Sequence, residues 1–145
     1  MTAGTLVDSN VLLDVLTEDE TWFEWSSNAL AEVAEVGPLF INPIIYAEVS
    51  VRFSRIEDLD VVLPDSDYRR LALPWASAFL AGKVFLEYRK SKGTKSTTLP
   101  DFFIGAHAAV AQLELLTRDT ARYRTYFPTV RLKAPDTGNN GDQED

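Results

Sequence analysis

Residues Thr5–Asp14, TLVDSNVLLD, change character at their midpoint. Thr5 to Asp8 form a short run with strand propensity that breaks at Ser9-Asn10. The following VLLDVL has the periodicity of a helix, with Ser9 or Asn10 expected to cap it. A strand, a turn and a helix in this order form the first half of a βαβ unit. This stretch therefore predicts an α/β fold.

The rest of the chain alternates between the same two patterns. Further strands are predicted at Leu39–Asn42, Leu113–Asp119 and Thr129–Lys133. Helices are predicted at Thr21–Val36, Pro43–Arg55, Tyr68–Lys90, Leu99–Gln112 and Ala121–Tyr126, with one short helical turn at Glu57–Leu63. An interruption of the Tyr68–Lys90 helix near Pro74 is left open. Parallel strands need crossover helices, so we predict one domain, residues 1–133, with a central parallel sheet of four to five strands and helices on both faces. Residues 134–145 are poor in apolar side chains and predict a disordered acidic tail.

The amino-acid composition limits the cellular compartments and the types of metal site that are expected for this protein. The 145 residues include no cysteine, which excludes disulfides and thiolate metal sites and favours a reducing compartment. No apolar run approaches the ~18 residues of a membrane span, and MTAGTLVDSN lacks the basic region of a signal peptide. We therefore expect a cytoplasmic protein that does not bind membranes.

Charge is unevenly distributed along the chain. Fourteen acidic and two basic residues precede Arg69, whereas twelve basic and four acidic residues lie between Arg69 and Lys133. The net charge of -8 argues against a polyanionic partner, but the basic half could meet one while the acidic half meets a basic partner. Two merely solvated surfaces are an equal alternative.

Four acidic residues are predicted to converge at the carboxyl edge of the sheet, where ligands bind in open parallel sheets. Asp8 and Asp119 end strands, Glu48 lies in the helix after the second strand, and Asp101 lies in the first turn of its helix. Clustered carboxylates repel one another unless a cation occupies them. Oxygen-only ligands favour Mg²⁺ or Mn²⁺ over zinc, so these acids predict a divalent-metal site.

Each of these acids also has a purely structural interpretation. Asp8 could form a turn before its helix, Asp119 could cap the next helix, and Glu48 could face solvent. Thr98-Leu99-Pro100-Asp101 fits a capping box, so Asp101 could be a cap, a ligand or both.

Other residues near the acids are expected to play supporting parts. His107 lies on a different face of its helix from Asp101 and is predicted to be a core residue. Asp14 is predicted to support the site from outside the ligand set or to lie at the surface. The small residues of the Asp101 helix are expected to let it lie close to the sheet; they are Gly105, Ala106, Ala108 and Ala109.

Four segments, LVDSNVLLD, NPIIYAEV, LPDFFIGAHA and LLTRD, occur in this order along the chain. Together they resemble the PIN-domain ribonucleases, and most closely the VapC toxins of toxin–antitoxin pairs, over nearly all of Thr5–Lys133. The resemblance implies a PIN-like three-layer fold and an Mg²⁺- or Mn²⁺-dependent endoribonuclease. Its catalytic and metal-binding acids would be Asp8, Glu48, Asp101 and Asp119.

The resemblance also implies partners. RNA would be the substrate, and polar and basic residues around the acids would bind its backbone. These candidates are Ser9, Asn10, Arg89, Lys90, Lys92, Lys95, Arg118 and Arg122. A cognate antitoxin and a homodimer are further implications. The candidate residues for an antitoxin groove are Trp22, Phe23, Trp25 and Phe53, which could equally be core residues.

A phospho-receiver-like or other non-catalytic module with an acidic Mg²⁺ pocket is the alternative. Receivers usually carry an acidic pair at the end of the first strand, whereas a single acid, Asp8, ends it here. A haloacid-type phosphatase needs an aspartate at the position of Asn10. The chain also lacks both glycine-rich nucleotide-binding motifs.

Overall fold

The computed structural model describes residues 4–92 and 97–135, without the side chain of Lys92. A five-stranded sheet lies at its centre, with the spatial order β3-β2-β1-β4-β5 and every neighbouring pair parallel. The strands are β1 (Thr5–Val7), β2 (Leu39–Ile41), β3 (Tyr68–Arg70), β4 (Glu114–Leu116) and β5 (Leu132–Lys133). The predicted parallel α/β sheet is confirmed, with the larger of the two expected strand numbers.

Helices fill the connections between these strands. They are α1 (Ser9–Leu16), α2 (Phe23–Val36), α3 (Pro43–Ser50), α4 (Ile56–Val62), α5 (Trp75–Lys92), α6 (Phe103–Ala111) and α7 (Thr120–Tyr126), and a 3₁₀ turn at Leu99–Phe102 precedes α6. α1 packs against α2 and α3, and α5 packs against α6. With this strand order, the usual right-handed crossovers predict α1 to α4 on one face of the sheet and α5 to α7 on the other.

Capping residues explain where two helices begin. Asn42 is extended and its Oδ1 accepts a hydrogen bond from the Ile45 amide at 2.9 Å, with Pro43 as the first helical residue, as the sequence predicts. α1 begins at Ser9, two residues earlier than predicted. Asp8 holds its cap position without a side-chain cap hydrogen bond, so the expectation that Ser9 or Asn10 caps α1 is wrong.

The segment Tyr68–Arg70 corrects the prediction of a helical pattern that starts at Tyr68. It forms β3, which pairs in parallel with β2 in the register Leu39 to Tyr68. Two arginines in three residues give it no apolar period, which is typical of a short, charged strand at a sheet edge. The helix therefore begins only after Pro74, at Trp75.

Several other helices and strands are shorter than predicted. α3 ends at Ser50 instead of Arg55, β4 covers only Glu114–Leu116, and β5 covers only Leu132–Lys133. Residues 117–119 therefore form a loop after β4, and this loop carries part of the site described below.

The central strands are buried on both faces, as crossover helices require. Leu6, Val7, Leu115 and Leu116 have no exposed surface. Pro135 is buried as well, and the remainder of the predicted tail, residues 136–145, lies outside the described residues. In the described part of the chain, no helix combines the length and apolarity needed to cross a membrane.

The small residues of α6 do bring neighbouring elements close. Ala106 and Ala108 are buried, and a Cβ atom added at Gly105 would lie 2.4 Å from the ring of Phe127. Ala109 is only half-buried. The tightest approach at Gly105 is thus to Phe127, which follows α7.

Candidate active site

The candidate site lies where the order of the strands reverses. β1 pairs with β2 on one side and with β4 on the other, in the register Val7 to Leu116. In such sheets the crevice beyond the carboxyl ends of the two strands is the usual ligand site. Asp8 follows β1, and its amide donates to the Leu116 carbonyl at 2.9 Å. The predicted adjacency of the first strand and the strand that precedes Asp119 is confirmed.

Asp8 is buried in this crevice, and three side-chain donors reach its Oδ2 atom. Asp8 is only 5% exposed to solvent. Its Oδ2 accepts hydrogen bonds from Thr117 Oγ1 at 2.8 Å, Tyr123 Oη at 3.3 Å and Asn10 Nδ2 at 3.4 Å. These contacts fix the carboxylate at the sheet edge, and it makes no side-chain cap hydrogen bond to α1.

Glu48 reaches Asp8 through a hydroxyl group. Ser9, the first residue of α1, donates through Oγ to Glu48 Oε1 and lies 3.5 Å from Asp8 Oδ1. Asn42 fixes the start of α3, which carries Glu48 six residues further along. One serine hydroxyl therefore lies between two carboxylates that come from different elements.

The carboxylate pair is electrostatically unfavourable as it stands. Burial raises the pKa of Asp8 from 3.8 to about 6; the Thr117 hydrogen bond lowers it, and the nearby charge of Glu48 raises it further. Burial also raises the pKa of the Tyr123 hydroxyl, and the Asp8 charge adds to the effect, so Tyr123 stays a neutral donor. A cation between Asp8 and Glu48 would relieve this repulsion.

Asp119 is linked to the same crevice by Thr117. Its amide donates to Thr117 Oγ1 at 3.0 Å, and Thr117 in turn donates to Asp8. The Asp119 carboxylate accepts from the Arg122 amide at 3.4 Å and lies 3.4 Å from the Arg122 Nη1. Asp119 therefore caps α7, which was one of its two predicted roles, and also faces a guanidinium group.

Asp101 forms the capping box that its sequence context predicts. Its Oδ2 accepts from the Thr98 amide at 2.6 Å and from Thr98 Oγ1 at 3.1 Å. Its charge also reaches Arg122. Burial lowers the pKa of Arg122, but Asp119, Tyr123 and Asp101 together raise it above its ordinary value. Arg122 therefore lies in the field of both acids.

The donor set tests whether a metal fits. Among the described residues, no three histidine, aspartate or glutamate side chains are gathered at metal-binding distance. Asp8 and Glu48 are linked through the Ser9 hydroxyl, and Mg²⁺ is usually held by one or two carboxylates together with water and substrate phosphate. The pair thus fits a hard divalent cation, while the Asp101 and Asp119 carboxylates contact Thr98 and Arg122.

The basic residues predicted to bind RNA lie in different settings. Arg89 and Lys90 are exposed on α5, with the Arg89 guanidinium 5.7 Å from the centre of the Phe85 ring. Lys95 and the side chain of Lys92 lie outside the described residues. The Arg118 guanidinium group pairs with the Asp14 carboxylate.

Asp14 is buried in the interior of the protein. The residue is 2% exposed and its carboxylate pairs with Arg118, with Nε–Oδ2 and Nη2–Oδ1 distances of 2.6 and 2.8 Å. The surface alternative for Asp14 is therefore wrong. An acid within an apolar helical run, six residues after Asp8, had no visible partner in the sequence because Arg118 is 104 residues away.

The aromatic candidates for an antitoxin groove divide into two groups. Trp25 and Phe53 pack against the core. Phe23 is 40% exposed, and Trp22 is half-buried beneath Arg118. His107 is buried, with its Nδ1 3.0 Å from Asn42 Nδ2, which confirms it as a core residue; burial lowers its pKa.

Sequence reasoning missed Thr117 and Tyr123. Both are fully or almost fully buried, and both donate to Asp8. Thr117 lies in the segment LLTRD, directly before the predicted site residues Arg118 and Asp119. Tyr123 follows Asp119 by one helical turn, which places it on the same side of α7.

These features define a parallel α/β protein with a buried carboxylate, Asp8, at its switch point. Residues 5–128 match the PIN domain family, and the chain belongs to that family. A comparison with curated protein sequences gives no significant match.

Solved structures of 24% identity or lower share this fold. VapBC2 from Rickettsia felis, bound to a promoter DNA fragment, has a TM-score of 0.68 at 19% identity, covering 91% of this chain and 98% of the other. A toxin–antitoxin complex from Klebsiella pneumoniae has a TM-score of 0.61 at 24% identity, covering 83% and 90%. FitAcB from Neisseria gonorrhoeae has a TM-score of 0.62 at 21% identity, covering 88% and 95%.

Proposed function

We propose that this protein is a divalent-metal-dependent endoribonuclease and acts as the VapC-type toxin of a toxin–antitoxin pair. The observation that carries the proposal is the buried Asp8 beside Glu48 at the switch point of the sheet. Membership of the PIN domain family supports it, and so does a shared fold with toxin–antitoxin complexes.

The proposed metal ligands are Asp8 and Glu48, with Asp101 and Asp119 completing the acidic set. Mg²⁺ or Mn²⁺, when bound there, lowers the pKa of a water molecule and stabilises negative charge on the phosphate. Thr117, Tyr123 and Asn10 hold the Asp8 carboxylate in one orientation. Ser9 keeps Glu48 beside it.

Arg122 is proposed to bind the phosphate next to the bond that is cleaved. Its side chain is 30% exposed, lies 3.4 Å from the Asp119 carboxylate and is in the electrostatic field of Asp101. A guanidinium group there would stabilise charge that develops on the phosphate oxygens. Arg89, Lys90, Lys92 and Lys95 are proposed to bind phosphates further along the RNA, which adds affinity without selecting a sequence.

Strand order favours this proposal over the phospho-receiver alternative. Receiver domains have the flavodoxin-like order 2-1-3-4-5, whereas this sheet has the order β3-β2-β1-β4-β5. The two folds place different loops at the switch point. A receiver-like fold is therefore excluded, and a non-catalytic PIN domain is the outcome that experiment must distinguish.

An antitoxin is the proposed protein partner. The acidic residues of the first half of the chain suit a basic partner segment, and the exposed Phe23 on α2 offers it an apolar contact. Homodimerisation, which the family resemblance implies, is proposed with it and is checked by light scattering on the antitoxin-free protein.

RNA cleavage by purified, antitoxin-free protein tests the proposed activity. Total RNA is incubated with Mg²⁺, Mn²⁺ or EDTA, and wild type is compared with Asp8→Asn and Asp101→Asn. Asp65→Asn removes an exposed acid from the loop after α4 and is the matched control. We expect metal-dependent cleavage by wild type and Asp65→Asn, and a loss of about 100-fold or more in the other two. Absence of wild-type cleavage with either metal would refute the nuclease proposal.

A further inference from the structure

The loop 117–119 after β4 carries two residues of the site, and the residue between them points the other way. Thr117 donates to Asp8, and Asp119 faces Arg122. The Arg118 side chain extends instead to Asp14 on α1. The backbone amide of Arg118 donates to Asn10 Oδ1 at 3.3 Å, so this loop is tied to α1 twice.

The contact between Arg118 and Asp14 uses the whole guanidinium fork. Two nitrogens of Arg118 reach the two carboxylate oxygens of Asp14, at 2.6 and 2.8 Å. Ser26 on α2 donates to Asp14 Oδ2 at 2.7 Å, and the Arg118 guanidinium lies 5.1 Å from the centre of the Trp22 ring. Asp14 and Ser26 are buried, which makes this cluster a rigid connection among α1, α2 and the loop.

We propose that Arg118 is a positioning residue, because its bidentate contact with buried Asp14 fixes the loop 117–119 so that Thr117 stays on Asp8 and Asp119 faces the same crevice. This assignment differs from the sequence-based expectation that Arg118 binds the RNA backbone. Its kinetic test rests on the proposed nuclease function, whereas its structural test does not.

Arginine chemistry separates the two roles. A phosphate contact needs mainly a positive charge, which lysine also supplies. A planar, two-bonded contact with a carboxylate needs the guanidinium fork, which lysine cannot reproduce. Asp14→Asn also separates the two roles, because it leaves Arg118 intact and weakens its contact with residue 14. It would release Arg118 toward RNA if Arg118 were a phosphate ligand, but it would loosen the loop 117–119 if Arg118 is a positioning residue.

Steady-state cleavage of a short RNA with Mg²⁺ gives the kinetic test. For Arg118→Lys and Asp14→Asn we expect kcat to fall about ten- to a hundred-fold while KM changes less than about twofold, because misplaced catalytic groups lower the rate more than binding. Arg55→Lys is the matched control, since Arg55 is an exposed arginine with an exposed partner, Glu57. A lower KM with unchanged kcat in Asp14→Asn would overturn the proposal.

Amide chemical shifts of the metal-free protein give a test that survives failure of the nuclease proposal. We expect the Thr117 and Asp119 amide resonances to move in Arg118→Lys and Asp14→Asn but not in Arg55→Lys. If either variant fails to fold, Ser26→Ala removes only the hydroxyl bond to Asp14 and is expected to move the same resonances by less. Unchanged Thr117 and Asp119 resonances in the folded variants would overturn the proposal.

Discussion

Asp8→Asn is expected to abolish metal-dependent cleavage and at the same time to stabilise the metal-free protein. Burial raises the pKa of Asp8 from 3.8 to about 6, so the charged carboxylate destabilises the folded state at neutral pH. Each pH unit is worth about 1.36 kcal/mol, so the charge costs up to about 3 kcal/mol above pH 7. Asparagine removes the charge and keeps one oxygen for the Thr117 and Tyr123 hydroxyls.

The pH dependence of this gain follows from proton binding. Between about pH 3.8 and pH 6 the unfolded chain loses the Asp8 proton while the folded chain keeps it. The free energy of unfolding contributed by Asp8 therefore falls as the pH rises through this range and stays low above it. Asp8→Asn lacks this fall. The difference in stability between variant and wild type should grow from near zero at pH 3.5 to about 3 kcal/mol at pH 7.5.

Urea denaturation in EDTA at several pH values measures this difference. Subtracting wild type from variant cancels the titration of the acids that do not interact with Asp8, and Asp65→Asn controls for the loss of an exposed aspartate. A variant that is less stable than wild type at pH 7.5, or a difference that does not change with pH, would refute the electrostatic reasoning about Asp8.

Three further predictions concern stability and metal binding. Gly105→Ala should lower the free energy of unfolding by about 1–3 kcal/mol because its Cβ would lie 2.4 Å from the Phe127 ring, whereas Gly82→Ala in open space should raise it by up to about 1 kcal/mol; equal effects in urea denaturation would contradict this. Mg²⁺ at 100 times its dissociation constant should stabilise wild type by about 2.7 kcal/mol and Asp8→Asn by much less, and a thermal-shift titration that shows equal gains would argue against this site. Thr117→Val should raise the pKa of Asp8 above about 6, because the hydrogen bond from the Thr117 hydroxyl lowers this pKa in wild type and the variant lacks that bond. A carboxyl-carbon NMR titration that shows no rise in the Asp8 pKa would contradict the contact.

Much of the fold could be predicted from local patterns. The strand and helix at Thr5–Asp14 and the Asn42-Pro43 helix start have strong periodic or capping signals, and both are confirmed. β3 could not be predicted because Tyr68–Arg70 has neither an apolar run nor alternation. β3 pairs with β2 through backbone hydrogen bonds at the edge of the sheet, and the side-chain pattern of β3 does not predict this pairing.

The candidate site shows the same limit at longer range. Asp8 and Glu48 could be placed at one edge because Asp8 ends the first predicted strand and Glu48 lies in the helix that follows the second. Ser9 was predicted to cap a helix, since local sequence cannot show that Glu48, 39 residues away, accepts its hydroxyl. Thr117 was missed for the same reason, because its partner Asp8 is 109 residues away.

The central claim is that the carboxylates of Asp8 and Glu48 hold the divalent ion used for cleavage. Anomalous scattering from crystals soaked in Mn²⁺ tests it most directly. We predict a peak within direct ligand distance of both carboxylates in wild type and Asp65→Asn, and no peak there in Asp8→Asn. A wild-type crystal with Mn²⁺ bound only elsewhere, or an Asp8→Asn crystal that keeps the peak, would contradict the claim.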